Sequence, residues 1–254
     1  TKKYQYLVAL NAESPVLRSR EVRQALNLAV DRAAVVRVAL NGHGLPSRGP
    51  FWMRHWAIGP DLPSFDFDPQ RASAVLAGKT ERGARGAGDV RFTCIVPPDS
   101  VNERIALEVK RQLASVGVDM AVEQVSLDRL FQSLKSRTFE AALMEGLSGP
   151  TLLRPYNLWH SGGVFNPGGL GNPSIDAALD RLHEAASDRE LGAAAAGAQR
   201  AFMDDPPAIF LAWIERARAV STRFKVVTDP GRPDVLGTMR LWKPAGGQRD
   251  ASRN

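Results

Sequence analysis

Between Arg91 and Met144 the spacing of apolar residues switches repeatedly between two and three-to-four, and no other stretch constrains the fold as tightly. Arg91 to Val96 reads as a strand. Ser100 with Glu103 reads as a capping box that opens a helix; Ile105, Val109, Leu113 and Val116 share one face of it, and Gly117 stops it. Val118, Met120 and Val122 alternate as a second strand. Leu127, Leu130, Phe131 and Leu134 mark the inward face of a second helix running to Ser136, and Phe139 to Met144 is a third strand. Strand, helix, strand, helix, strand with brief links requires crossover connections, which within one sheet are right-handed and join parallel strands. The expected fold class is α/β, a mixed, mainly parallel sheet flanked by helices.

The flanking segments fit the same plan. Tyr4 to Leu10 reads as a strand and Asn11 to Pro15 as a turn. Val22, Leu26, Ala29, Ala33, Val36 and Leu40 then predict one long helix, with Ser19 as N-cap and Asn41-Gly42 as the stop; Arg23, Asn27, Arg32 and Arg37 lie off its packed face. From Gly42 to Pro69 the chain is rich in proline and glycine and carries Phe51, Trp52, Trp56, Phe65 and Phe67, which predicts an ordered crossing that buries its aromatics. Asp68-Pro69 opens a short helix through Leu76, and Gly78 to Gly88 reads as an exposed loop. Beyond an irregular stretch from Gly146 to Pro173, Asn172-Pro173 caps a helix with Ile175, Leu179 and Leu182 inward. An alanine-rich helix follows through Phe202, ended by Asp204-Asp205-Pro206-Pro207. Ala208 to Trp213 and Ala217 to Ser221 read as strands, and the residues after Pro244 as a polar tail.

Composition excludes several classes. At 254 residues the chain has room for one large or two small domains. A net charge of +6 is mild, and the arginines are scattered with no basic tract, so nucleic acid is not an expected partner. Cys94 is the only cysteine, which rules out an internal disulfide and a cysteine-rich zinc cluster; it reads as a small apolar strand residue. No apolar run approaches the ~20 residues of a membrane span. Thr1 to Tyr6 lack a signal-peptide pattern, so the sequence is expected to be a mature chain, a cytoplasmic one or a cut fragment.

Catalytic motifs are weak. Gly78-Lys79-Thr80 resembles the end of a phosphate-binding loop, but the earlier glycine is Ser73 and a helix precedes it. In Gly146-Leu147-Ser148-Gly149 a hydrolase elbow would need glycine where Pro150 stands. His43, His55, His160 and His183 have no metal-ligand spacing, and no cofactor is implied. A binding role fits better. The loop after the Phe139 strand lies where open α/β sheets place ligands. It carries Glu145, Gly146, Ser148, Arg154, Tyr156, Trp159 and His160, with Asn11 at the end of the first strand as a further candidate; Arg154, Tyr156, Trp159 and His160 suit an anionic or aromatic ligand.

The order of segments resembles the C-terminal half of the family 5 extracellular solute-binding proteins, the peptide- and nickel-binding components of ABC importers. Ser19 to Arg32, SREVRQALNLAVDR, is similar to the family's D-x-R-V-R-Q-A-x-x-x-A-I-D-R helix, and Gly42 to Pro46 to its G-x-G-x-P. Phe67-Asp68-Pro69 through Leu76 resembles Y-D-P-x-x-A-x-x-L-L. Gln112-Leu113 with Val116-Gly117-Val118 resembles Q-L-x-x-I-G-I, and Phe139-Glu140 the family's F-D strand. Asn172 to Asp176 resembles N-P-x-x-D, and Asp205 to Ile209 the segment before a strand. The resemblance runs from about Tyr4 to Trp242.

This likeness implies one lobe of a two-lobed, periplasmic-binding-protein-like fold of type II, cluster C, that closes on a solute. On this view residues 1–19 are a hinge strand and crossover, 20–213 a ligand-binding lobe, and 214–254 a return toward a missing N-terminal lobe. The implied activity is capture of a small polar solute, a peptide or peptide-like molecule, without catalysis, and delivery to a membrane ABC permease. The implied location is periplasmic or extracytoplasmic, with or without a lipid anchor. A ligand-sensing domain of a transcriptional regulator and an α/β hydrolase using Ser148 are the alternatives. In peptide-binding members a W-x-x-D loop holds the ligand's amino terminus; Met144 to Thr151 has neither that Trp nor that Asp, and Glu145 is not at the same place.

Overall fold

The computed structural model describes residues 3–59, 62–80, 90–148, 152–215, 220–229 and 235–245. In chain order the elements are β1 (Lys3–Leu10), α1 (Arg20–Leu28), α2 (Arg32–Ala39), β2 (Leu45–Pro46), α3 (Pro69–Thr80), β3 (Val90–Val96), α4 (Ser100–Ala114), β4 (Val118–Gln124) and α5 (Leu127–Ser136). There follow β5 (Ala141–Ser148), α6 (Arg154–Trp159), α7 (Pro173–Glu184), α8 (Asp188–Asp204), β6 (Ala208–Glu215), and a small hairpin of β7 (Phe224–Lys225) and β8 (Lys243–Pro244). The sheet order is β2-β6-β1-β5-β3-β4.

β3 pairs in parallel with both β4 and β5, as the alternating block requires. β1 runs antiparallel between β5 and β6, so β3, β4, β5 and β6 all point one way. The connection from β3 moves outward to the edge strand β4, and the next moves back across β3 to β5. Two right-handed crossovers in opposite directions put their helices on opposite faces. Accordingly α1 to α4 pack on the face carrying Tyr6, Val8, Leu10 and Leu143, while α5 to α8 pack on the face carrying Leu7, Ala9, Ala142 and Phe210. Cys94 is buried in β3, as its sequence context predicts.

Four local expectations are corrected. The long helix from Ser19 is two helices, broken at Ala29 to Asp31, because Asp31 turns out of the first and caps the second through a bond from the Ala34 amide (3.0 Å). Arg23, Asn27 and Arg32 do not lie off the packed face but are buried. Arg23 is ion-paired with Asp205 and donates to the carbonyls of Leu17 (2.6 Å) and Pro206 (3.0 Å), and Arg32 donates to Phe210 (2.7 Å). The cap of α4 is Asp99, whose carboxylate accepts from the Val101 and Asn102 amides, leaving Ser100 as the first helical residue. In the crossing before α3, Phe51 is buried and Trp52 packs edge-on to Trp213, but Trp56 and Phe67 are exposed.

Elsewhere α3 continues past Leu76 and carries Gly78 inside it. Residues 81–89, which include Gly83, Gly86 and Gly88, lie outside the described residues, as do most of the expected strand Ala217 to Ser221 and the tail from 246. The stop at Asn41-Gly42 is as expected, with both residues at positive φ (50° and 79°). Asn172 caps α7, and Ile175, Leu179 and Leu182 face the core.

Candidate functional site

The second half of β5 and the segment after it build one wall of a cavity. β5 pairs with β1 along its whole length but with β3 only at Ala141 and Ala142, and its C-terminal end lies opposite the start of β1, where Lys3 faces both Ser148 and Glu215. Side chains alternate across the sheet. Met144 therefore points to the face carrying α5 to α8 and meets the cavity there, together with the edge presented by Glu145 and Gly146.

The cavity measures ≈ 580 Å³ and lies between α5, β5, α6 and the loop at 164–167. This is within the ~300–1,000 Å³ of small-molecule sites. From α5 come Phe131, Leu134 and Lys135, from α6 Arg154 and Leu158, and from the loop Val164, Phe165 and Pro167. Leu127 and Phe131 were expected to face the core; instead they are 54% and 65% exposed, and on that helix only Leu130 is fully buried. The apolar period of α5 is wide because the helix has two apolar environments, one the core and the other this cavity.

The wall formed by α6 and its loop is pinned from behind. α6 is too short to hold itself and has no side-chain N-cap. Alternate residues of the helix divide the work: Arg154 and Leu158 line the cavity, Trp159 is buried edge-on to Phe210 (5.9 Å), and Tyr156 stacks on His160 (4.4 Å, 15°) and leans on His183. His160 Nδ1 accepts from the Gly162 amide (2.9 Å), so its Nε2 carries the proton and donates to Asp180 on α7 (3.3 Å). Ser161 donates to Asp176 through its amide (2.8 Å) and hydroxyl (2.6 Å). At the far end the Ala12 amide bonds to Gly168 (2.8 Å), where any Cβ would collide with the Leu10 carbonyl.

Of the residues singled out in the sequence, Glu145, Gly146 and Arg154 line the cavity. Tyr156, Trp159 and His160 are placed behind it, as supports. Asn11 is buried at the other end of β5, donating to the carbonyls of Arg137 (3.0 Å) and Phe139 (2.6 Å), where it ties β1 to the entry of β5. Ser148 is the last residue of β5, and Gly149 to Thr151 lie outside the described residues. The lining residues missed by sequence reasoning are Phe131, Leu134, Lys135, Met144, Leu158, Val164, Phe165 and Pro167. Leu127, Phe131 and Lys135 do recur every four residues on one face, but Leu130 and Leu134 pack on the core beside them, so the spacing does not single out the cavity.

The charges of the wall are two cations and one carboxylate. Lys135 and Arg154 make no hydrogen bond or ion pair among the described residues, whereas Glu145 already has a partner within the protein. No group of three or more His, Cys, Asp or Glu among the described residues is placed to hold a metal ion, and no helix there is long and apolar enough to cross a membrane.

Comparison with known proteins gives a consistent result. The family described as bacterial extracellular solute-binding proteins, family 5 Middle, matches residues 1–166. Protein XP55 of Streptomyces lividans is 28% identical over 256 residues, covering 94% of this chain and 45% of its own length. In fold the chain is similar to the oligopeptide-binding protein AppA of Bacillus subtilis, solved with a nonapeptide, at a TM-score of 0.80 and 19% identity, covering 96% of this chain and 51% of AppA. It is similar also to NikZ of Campylobacter jejuni, solved with Ni(L-His), at 0.75 and 19%, covering 89% and 48%. The chain thus spans about half the length of these relatives.

Proposed function

The chain belongs to the bacterial extracellular solute-binding proteins of family 5, and from that membership we propose that it is one lobe of an importer's binding component. It captures a small polar solute, a peptide or peptide-like molecule, against a second lobe and presents it to an ABC permease. The observation that carries this is the cavity beside Met144, Glu145 and Gly146. It opens at the C-terminal half of a sheet strand, where α/β folds bind ligands, and its wall is braced by α7. The family binds peptides or small molecules and works with ABC permeases outside the cytoplasm, which supports that location for this protein.

On this reading residues 1–19 enter from the partner lobe, 20–213 carry the wall, and 214–254 return toward it. The convergence of Lys3, Ser148 and Glu215 at one end of the sheet supports that arrangement. Bridging two lobes stabilises the closed state, and recognition of that state by a permease needs no chemistry at the site. A hydrolase elbow needs a glycine two residues beyond the serine, and Pro150 stands there, which supports binding over hydrolysis. Thermal unfolding of the full-length protein against di- and oligopeptides, amino-acid conjugates, sugars and metal chelates tests the proposal. A true ligand at a hundredfold excess over its Kd adds about 2.7 kcal/mol of stability. No stabilisation by any class overturns it.

A further inference from the structure

We infer that the cavity takes an organic anion with an apolar body, and that it requires no amine on the ligand. The inference rests on the solute-binding reading above and narrows it. The lining is dominated by Phe131, Leu134, Leu158, Val164 and Phe165. Val164 and Phe165 are 82% and 64% exposed, so this surface gains by covering an apolar ligand. Set into it are the ammonium of Lys135 and the guanidinium of Arg154, one on each side wall, neither neutralised among the described residues. A cation among apolar side chains that a bound ligand covers attracts an anion more strongly than one left in water, and Arg presents paired donors that match a carboxylate. A ligand amine would need an acceptor. The described wall sets two cations against a single carboxylate, that of Glu145, so its charge favours an anion over an amine.

The probes are N-acetyl-Leu-Phe, which has a carboxylate and no amine; its carboxamide, which has neither charge; and Leu-Phe amide, which has only the amine. Titration calorimetry on the full-length protein reads all three. N-acetyl-Leu-Phe is expected to bind, and each of the other two to bind at least about tenfold more weakly, the loss of a charge-assisted hydrogen bond. Arg154→Gln and Lys135→Gln, neither of which breaks a described contact, are expected to erase that preference when combined. Phe131→Ser weakens N-acetyl-Leu-Phe and its carboxamide alike. If Leu-Phe amide binds as tightly as N-acetyl-Leu-Phe, or the double variant keeps the preference, the anion assignment is overturned while solute binding stands. If other solutes stabilise the protein and all three probes fail, the assignment is likewise overturned. If nothing binds at all, the solute-binding reading falls first.

Discussion

Arg23, inside the helix that carries the family resemblance, serves the fold through Asp205. The guanidinium is buried, and its partner carboxylate also accepts from Asn172 Nδ2 (2.6 Å), so one ion pair joins α1 to the end of α8 and the cap of α7. Removing one member strands the other: Arg23→Met is expected to cost ~3–5 kcal/mol in urea unfolding, and the double variant with Asp205→Asn to recover part of that loss. At Cys94 burial pushes the thiol from 9.0 up to about 12. Below the ordinary value both folded and unfolded chains hold the proton, and stability is unaffected. From there to about 12 the unfolded chain sheds the proton and the folded one does not, so stability falls as pH rises. The difference between wild type and Cys94→Ala in alkaline unfolding isolates this slope, ~1.4 kcal/mol per pH unit; parallel curves for the two proteins count against it.

At the scale of elements, a polar chain joins the start of α2 to α4, and Arg104 Nε donates to the Ala39 carbonyl (3.1 Å) at the other end of α2. Glu108 accepts from Arg111 (2.7 Å) and from Gln112 (2.6 Å), and Gln112 in turn accepts from the Asp31 amide (2.7 Å). The bonds from Arg111 hold the Glu108 carboxyl below its ordinary value, so its contribution is present above that value and is lost as pH falls. Glu108→Gln is expected to flatten the acid limb of stability against pH, and Asp31→Ala to cost ~1 kcal/mol through the lost cap. The same junction explains what could be read in advance. The order of elements in the block from Arg91 to Met144 was legible because each period is set by neighbours within a few residues, although the last strand starts at Ala141 and runs on to Ser148. The break at Ala29 to Asp31 was not, because the apolar period runs straight through it; Gln112 and the Phe210 carbonyl, distant in sequence, decide it. The cavity was half legible: Glu145, Gly146 and Arg154 were singled out, but as members of one loop, whereas β5 carries the first two and runs on to Ser148 and α6 begins at Arg154 with no cap to announce it; periodicity alone cannot tell whether Phe131 faces a core or a cleft.

At the scale of the whole molecule, the large exposed apolar side chains among the described residues fall mainly in two groups, one from Phe224 to Leu241 and one of Leu127, Phe131, Leu153, Val164 and Phe165, of which Phe131, Val164 and Phe165 line the cavity. Contiguous apolar surface of this kind marks an interaction site more often than an idle face. If a second lobe and a ligand cover it, the 254-residue chain alone should bind an uncharged apolar dye such as Nile red more strongly than the full-length protein does, and ligand should lower the full-length signal again. Phe131→Lys with Phe165→Ser should then reduce dye binding to the chain without lowering its unfolding midpoint, because both side chains already face solvent. A midpoint that drops with the dye signal would mean that these residues serve this lobe's own packing. Equal dye binding by the chain and the full-length protein would mean that the second lobe does not cover this face.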